Sequence, residues 1–487
     1  MLFQTHEFLC LVAVVLAGMV LLRTGRWQVL VLLAASYVFY MTWNPTFIVL
    51  LLGTTLTTYA CGRAMARWPS RRSRVAWLAA TCAFNLGVLA VYKYLDFFIT
   101  SIHQIGRLAG HEPSLPLAGL ALPVGISFFT FQAMSYIIDV FRGQQPAEKN
   151  VFKFALYVAF FPTLLAGPIL RAPQFLPQLD RPIDFHGDQL RSGCNKFLVG
   201  LVKKILIADQ VSPLVRAVFV SPQGLPSAAI WIGTVAFAVQ IYCDFSAYSD
   251  MAIGTGRILG FDIPKNFNYP YASRSLTEFW RRWHIALSSW LRDYLYIPLG
   301  GNRSGRLGVY RNLLITMGLG GLWHGAGWNF LAWGLYHGTV LSLERALGLG
   351  GKKKGQASPI AGRSKPWMAT AGKILSWLVT LYVILLGWLL FRVSGWHNMI
   401  YCVRKFVAFD FSFSLSAMGL GNANPFVSLS LLVLFLAVHA FSYRIGGIAD
   451  RMDRLRGWRL WLVYLAAIFC LAAMWPTGRT AFIYFQF

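Results

Sequence analysis

Apolar runs close to the length that crosses the hydrocarbon core of a bilayer, about 20 residues, recur from one end of the chain to the other. Only 13% of the 487 residues are charged, whereas a soluble protein carries about 25%. We therefore predict an all-α polytopic membrane protein with about eleven to thirteen spans, counting 312–347 as two. The runs cover residues 8–22, 27–41, 46–60, 75–92, 119–140, 154–170, 228–243, 312–347, 374–391, 425–442 and 460–475.

The basic residues predict how these spans are oriented. Lys and Arg number 44 against 18 Asp and Glu, a net charge of +26. They gather at 63–74, 142–153, 203–204, 274–311, 352–373 and 444–459. By the positive-inside rule these segments face the cytoplasm, which places both chain termini outside. Because the charge is scattered over loops, we expect topology and lipid head groups to account for it rather than nucleic acid.

Three parts of the chain are predicted. Residues 1–349 form a core that includes the candidate catalytic region 240–338, and 350–373 is a basic cytoplasmic linker. Residues 374–487 supply the closing transmembrane helices and a C-terminal tail. The seven cysteines are scattered without a CxxC spacing, so neither a disulfide framework nor a metal site is predicted.

Polar residues inside a membrane are expensive, so the segment 240–338 is where a site is expected. In "QIYCDFSAYSDMAIG" (240–254), Asp244 and Asp250 interrupt an apolar stretch. Six residues separate them, so they point to different faces of a helix. Two roles stay open for these acids: pairing with basic partners or capping broken helix ends on one side, and polar support of a site on the other.

The segment "SLTEFWRRWHIALSSWLRDYLYIPLGG" (275–301) predicts an amphipathic helix. Ser275 and Glu278 have the spacing of a capping box at its start, and Pro298 ends it. Its polar stripe consists of Arg281, His284, Ser288 and Arg292. His284 is either an interfacial polar residue or part of a cavity open to the cytoplasm, in which the arginines hold an anionic donor.

In "GLGGLWHGAGWNF" (318–330), His324 stands among glycines that we expect to clear side chains from the wall around it. His337 lies thirteen positions on, about 220° round a continuous helix, so we predict a structural role for it. A neutral imidazole can accept a proton from a hydroxyl. In a glycine-walled cavity such a ring can serve acyl transfer from a thioester to an alcohol. Motifs of zinc proteases, P-loop NTPases and α/β-hydrolases are missing, which disfavours zinc proteolysis, ATP-driven transport and α/β-hydrolase chemistry.

These motifs resemble the membrane-bound O-acyltransferase family, in its bacterial exopolysaccharide-acetylating branch. The likeness includes the 275–305 and 311–338 segments, "YCDFSAYSDMAIG", "LPVGISFFTFQAMSYIIDVFRG" (122–143), "FFPTLLAGPILR" (160–171) and the closing "FIYFQF". The resemblance implies a ring of helices around a funnel with a thin centre pierced by a tunnel. It implies that His324 is the catalytic base and His284 the second site histidine, with a tunnel wall of Trp323, Gly321, Gly325 and Asn329.

The resemblance also implies a donor, a location and partners. Acetyl-CoA, as a substrate and not a bound cofactor, would dock near Arg281, Arg282, Arg292 and Ser288 on the cytoplasmic face of a bacterial inner membrane. Acetyl would pass outward to a secreted polysaccharide through a periplasmic SGNH-like partner. A lipid acyltransferase, or a non-enzymatic transporter or scaffold of polymer export, are the alternatives.

The terminal "FIYFQF" (482–487) has two interpretations. One is an aromatic belt at the outer membrane interface. The other, implied by a similar motif in related D-alanylation systems, is that Tyr484 carries the acyl group between the tunnel and the partner.

Overall fold

The computed structural model describes residues 1–111, 114–349, 366–411, 425–475 and 482–483, and within these ranges it contains helices and no β-strand. Five of the described helices are long and apolar enough to cross a membrane, and two more are shorter apolar helices. The predicted all-α, multi-pass membrane class is confirmed. The linker segment 350–365 and Tyr484 lie outside the described residues, so the predicted boundaries around the linker stay predictions.

The chain divides into two compact units. The first consists of Met1–Leu198 with Tyr248–Pro264, and the second of Val199–Ala247 with Lys265–Phe487. The first unit contains α1 His6–Leu21, α2 Gly25–Met41, α3 Ile48–Arg67, α4 Arg71–Leu108, α5 Ile126–Arg142, α6 Val151–Ala159, α7 Phe161–Leu164 and α8 Ala172–Phe175. Two helices run from one unit into the other, α9 Gly187–Val202 and α11 Ser227–Ile258.

The second unit contains the segments in which the site was predicted. One π-helical segment, Lys203–Ala208, follows α9, and a second covers Arg292–Tyr296. Its remaining helices are α10 Asp209–Phe219, α12 Leu276–Trp280, α13 Ile285–Leu291, α14 Gly305–His324, α15 Trp328–Ala346, α16 Pro366–Arg392, α17 Trp396–Val407, α18 Pro425–Ile445, α19 Ile448–Met452 and α20 Trp458–Ala473.

The candidate spans differ in how far the protein covers them. In the apolar window of α11, 72% of the residues are buried, against 17% in that of α4. An apolar side chain suits either lipid or protein, whereas a polar one needs a protein partner at membrane depth. The polar residues of 240–254 therefore lie on the span that is best supplied with such partners.

One predicted span is wrong. Residues 154–170 do not form a single helix, because α6 ends at Ala159, the chain bends at Phe160 and α7 makes only one turn. All side chains from Phe154 to Leu170 are nevertheless buried. The run is apolar because protein surrounds it, and apolar composition alone does not distinguish that setting from lipid.

Candidate active site

His324 is the last residue of α14 in a hairpin with α15. Gly325 and Gly327, both in extended backbone conformation, separate the two helices, and α15 begins at Trp328. The prediction that 312–347 holds two helices is confirmed. The break places the His324 ring at a helix end instead of in the middle of a span.

The glycines near His324 bring the two helices into close contact. A methyl group on Gly321 would overlap the carbonyl oxygen of Phe330, and one on Gly325 would overlap the Phe330 ring. From the other side, a methyl group on Gly334 would overlap the Met317 carbonyl oxygen. Small residues serve this purpose at helix interfaces in membranes. The expectation that Gly321 and Gly325 leave open space beside His324 is therefore wrong, because Phe330 occupies that space.

Aromatic rings surround the imidazole of His324, which is buried. The centroids of Trp323 and Trp333 each lie 5.1 Å from that of His324, and the centroid of Phe391 lies 5.5 Å away, all edge to face. Asn329, the second residue of α15, donates from its side-chain amide to the Phe391 carbonyl at 3.4 Å. Together these groups shield the imidazole from bulk water.

His337 lies nearer to this group than the sequence suggested. Its ring centroid is 4.8 Å from that of Trp333, so the Trp333 indole contacts both His324 and His337. The prediction that the two histidines point apart assumed a continuous helix, and the break after His324 removes that premise. The structural role of His337 stays a prediction.

His284 lies between α12 and α13 in a left-handed conformation, with φ of 41° and ψ of 57°. A non-glycine residue there costs about 1–2 kcal/mol, so neighbouring contacts must hold it. Asn266 supplies them. Its main-chain oxygen accepts from the Ile285 N–H at 2.8 Å, and its Oδ1 accepts from the Ala286 N–H at 3.1 Å.

These contacts explain why the predicted continuous helix is wrong. Ser275 does cap its start, since its hydroxyl accepts from the Glu278 N–H at 3.1 Å. Further along, however, Asn266 takes the first N–H groups of α13, which a continuous helix would give to its own carbonyls. The helix is therefore interrupted before Ile285.

Asn266 also orients the His284 ring, whose Nδ1 lies 3.2 Å from the Asn266 Oδ1. Because that oxygen already accepts from the Ala286 N–H, we assign Nδ1 as the protonated nitrogen, which leaves Nε2 as the acceptor of the neutral ring. His284 is fully buried and lies outside the five candidate spans. Burial lowers the pKa of the His284 imidazole to about 3, so the ring is neutral near pH 7.

Trp323 connects the two predicted catalytic histidines. Its ring centroid lies 5.9 Å from that of His284 and 5.1 Å from that of His324. Phe245 of α11 closes the other side of His284 at 4.6 Å. The structure thus brings His284, Trp323 and His324 together within one unit, although forty residues separate the histidines in sequence.

The predicted donor-binding residues do not form one stripe, because the helix is broken before Ile285. Arg281 and Arg292 are exposed, and Arg292 pairs with Asp293 at 2.7 Å. Arg282 pairs with Glu278 at 2.6 Å and lies over the Tyr443 ring. The Ser288 hydroxyl donates to the main-chain oxygen of Trp283 at 3.0 Å.

The two acids of α11 have different lysine partners. Asp250, in the first unit, lies 2.8 Å from Lys196. Asp244, in the second, lies 2.8 Å from Lys204, which also lies 2.8 Å from Asp209. The alternative in which the acids pair with basic residues is confirmed for both.

Sequence reasoning missed Lys204, because it assigned 203–204 to the cytoplasmic basic segments. Lys204 is only 4% exposed. A buried lysine is rare unless it is paired, and "KKILIAD" (203–209) carries a signal of this in Asp209, five residues on. Nothing comparable in the sequence indicates Asn266, whose partners lie about twenty residues further on.

The two described residues of the terminal motif are buried in the second unit. Phe482 is 2% and Ile483 3% exposed, and the Phe482 ring lies 5.8 Å from that of Phe245. The Ile483 N–H donates to Asp244 Oδ2 at 2.7 Å. The aromatic-belt interpretation is therefore wrong for these two residues.

Comparison with known proteins bears on this arrangement. Residues 32–349 match the sequence model described as "MBOAT, membrane-bound O-acyltransferase family". The chain belongs to the membrane-bound O-acyltransferase family. The matched region contains both His284 and His324, and the predicted enzyme class, an O-acyltransferase, is confirmed.

Relatives of this O-acyltransferase include polymer-modifying proteins. The chain is 43% identical over 396 residues to "Probable alginate O-acetylase AlgI" of Pseudomonas aeruginosa, covering 81% of this chain and 72% of that protein. It is 34% identical to the "Peptidoglycan O-acetyltransferase" of Helicobacter pylori, over 78% of this chain and 73% of the relative. The "Teichoic acid D-alanyltransferase" of Bacillus subtilis is 23% identical over 63% of this chain and 78% of its own length.

Proposed function

We propose that this O-acyltransferase takes acetyl from a cytoplasmic thioester, acetyl-CoA, and passes it across the bacterial inner membrane for O-acetylation of a secreted polysaccharide. His324 is the general base, and both chain termini face the periplasm. The observation that carries the proposal is the juxtaposition of His324 with Trp323 and the neutral His284, inside the region that matches the family. The names of the alginate and peptidoglycan relatives support acetyl as the acyl group and a glycan as the final acceptor.

In the transfer step, one histidine first accepts and then returns the proton. His324 takes the proton of the accepting hydroxyl while the hydroxyl oxygen attacks the carbonyl carbon of the thioester. The carbon–sulfur bond breaks, an oxygen ester forms, and the leaving thiolate recovers the proton from the His324 imidazolium. General base catalysis contributes about 10²–10⁴-fold to such a step, and positioning in a water-poor site supplies further acceleration.

His284 assists as a neutral ring. With Nδ1 donating to Asn266, its Nε2 is an acceptor, so it can hold a hydroxyl hydrogen but cannot stabilise an oxyanion by donation. This division leaves proton removal to His324. It also explains why the His284 ring is held by a polar contact in addition to packing.

The accepting hydroxyl in this proposal is that of Tyr484, which then gives the acetyl to a periplasmic SGNH-like partner. Support comes from its neighbours, because Phe482 contacts Phe245 and Phe245 contacts the His284 ring. Tyr484→Phe removes only the hydroxyl oxygen and its proton. It should abolish polymer acetylation while leaving the chain in the membrane at its normal level.

The direct test uses inside-out membrane vesicles, whose outer face is the cytoplasmic one. Acetyl-CoA labelled in the acetyl group is added outside, and ester-linked label is measured on polysaccharide enclosed in the lumen. The proposal predicts label inside that depends on this chain. Label transferred from a long-chain acyl-CoA to a lysophospholipid would instead favour a lipid acyltransferase, and the absence of any chain-dependent transfer would favour a scaffold or transporter.

A further inference from the structure

A buried charge cluster lies where the end of the chain meets α11. Lys204 lies 2.8 Å from both Asp209 and Asp244, and all three side chains are about 5% exposed or less. Buried carboxylates require hydrogen-bond donors as well as an ion-pair partner.

The two carboxylates differ in what else they contact. Asp244 Oδ1 faces Lys204, and its Oδ2 accepts the main-chain N–H of Ile483 at 2.7 Å. A hydrogen bond from a neutral N–H to a carboxylate is charge-assisted and stronger than one between neutral groups. Lys204 thus orients the Asp244 carboxylate, which accepts a hydrogen bond from the backbone of the terminal motif.

The side chains around this contact form a seat for the segment. Phe482 packs against Phe245, the next residue along α11 after Asp244, and both Phe482 and Ile483 are buried. A main-chain N–H is recognised whatever side chain the residue carries, so the contact fixes the position of the backbone. The Phe482 ring then determines which residue of the segment takes that position.

We propose that Asp244, held by Lys204, is a binding site for the backbone of this chain's own C-terminal segment, and acts as a positioning residue for acyl transfer. The positioning role of Asp244 rests on the proposed function. A segment anchored at Ile483 is held close to Phe245 and His284. Asp209 shares the lysine, whereas the Ile483 N–H donates to Asp244. Asp209 supplies the same charge to the cluster and is therefore a matched control.

Docking is tested without any acetyl transfer, by hydrogen exchange measured by mass spectrometry on the purified full chain in detergent. Peptides that end at Phe487 report the exchange of the Ile483 amide. Asp244→Asn should speed this exchange about tenfold, whereas Asp209→Asn, which changes the charge of the cluster equally, should leave it near the wild-type rate. Equal acceleration in both variants, or in neither, overturns the proposal.

A second pair of variants leaves the charge cluster intact. Ile483→Pro removes the donated N–H, and Ile483→Ala removes most of the side chain but keeps the N–H. Ester-linked acetate on the polymer should be about tenfold lower in Ile483→Pro than in Ile483→Ala, at equal membrane levels. The same loss in both overturns the backbone contact. If the proposed function itself is wrong, wild type fails the vesicle assay while the exchange difference persists.

Discussion

The two site histidines are held in different ways. His284 depends on a polar contact, because Asn266 bonds its ring and caps the helix that follows it. His324 lies at the turn of a glycine-packed hairpin, and three aromatic rings enclose it. We therefore expect the His284 imidazole to be sensitive to the loss of its hydrogen-bond acceptor and the His324 imidazole to be sensitive to added volume.

Added volume in the hairpin should have the largest effect. Gly321→Ala puts a methyl group onto the Phe330 carbonyl oxygen, so α14 and α15 must separate and His324 must shift. Overpacking of this kind costs about 1–3 kcal/mol of unfolding free energy, and we expect acetyl transfer to be lost. Thermal unfolding in detergent and polymer acetate measure the two effects.

Gly87→Ala is the control for that experiment. Gly87 lies in α4 with open space around it, so alanine there should stabilise the helix by about 0.5–1 kcal/mol. If Gly321→Ala proved as stable and active as Gly87→Ala, the inference that α14 and α15 are in close contact at Gly321 would be wrong.

Removal of the acceptor at His284 should have the next largest effect. Asn266→Ala loses a cap of α13, worth about 0.5–2 kcal/mol, and releases the ring, so kcat should fall about tenfold. Asn266→Asp keeps the oxygen and should retain most of the stability. Ser275→Ala removes only the cap of α12, so it should reduce stability and spare kcat; a matching fall in kcat would show that loss of helix stability, and not ring release, slows the enzyme.

Burial of the neutral His284 imidazole predicts that the stability of the fold depends on pH. Its pKa is about 3 in the folded chain and about 6.5 when unfolded. Between these two pKa values the unfolded chain binds a proton at His284 that the folded chain does not. The free energy of unfolding should therefore fall as the pH is lowered from about 6.5 towards 3. The slope is at most about 1.4 kcal/mol per pH unit.

His284→Gln isolates that contribution, because it removes one titrating group and leaves the others. Unfolding of wild type and variant is followed at pH 7 and pH 4.5. The difference in unfolding free energy between wild type and variant should change in favour of the variant at pH 4.5. A gap that does not change with pH contradicts the burial of a neutral ring.

The smallest effect is expected at the exposed arginines. Arg281→Ala and Arg292→Ala should each raise KM for acetyl-CoA about two- to fivefold with kcat unchanged, because exposed charge pairs contribute little and are screened by salt. Arg454→Ala, also exposed, is the control. Equal KM values for all three variants would remove the arginines from donor binding.

Local patterns in the sequence predicted much of the fold. Continuous apolar runs located α1, α2, α18 and α20 to within a few residues, and Ser275 marked the start of α12. The motifs also identified His284 and His324, which the structure brings together through Trp323. The apolar runs, the Ser275 cap and each histidine motif lie within a single segment of the chain.

Features that depend on distant residues were not predictable. The break before Ile285 requires Asn266 from another loop, and the burial of Lys204 requires Asp244 from another helix. The glycines were predicted to leave space, but what fills it belongs to the opposing helix. A glycine in the sequence shows that no side chain projects from that position. It does not show which atoms of the opposing helix fill the space.

The most direct test of the account compares His324→Gln with His337→Gln. Both imidazoles are buried and contact the Trp333 ring, and glutamine preserves polarity without accepting a proton near pH 7. Each variant is expressed at matched membrane levels in the native host lacking the gene, and ester-linked acetate is measured per unit of secreted polysaccharide. The account predicts a loss of about 10²-fold or more for His324→Gln and near-normal acetate for His337→Gln. Retained acetate in His324→Gln, or equal loss in both variants, would contradict the assignment of His324 as the base.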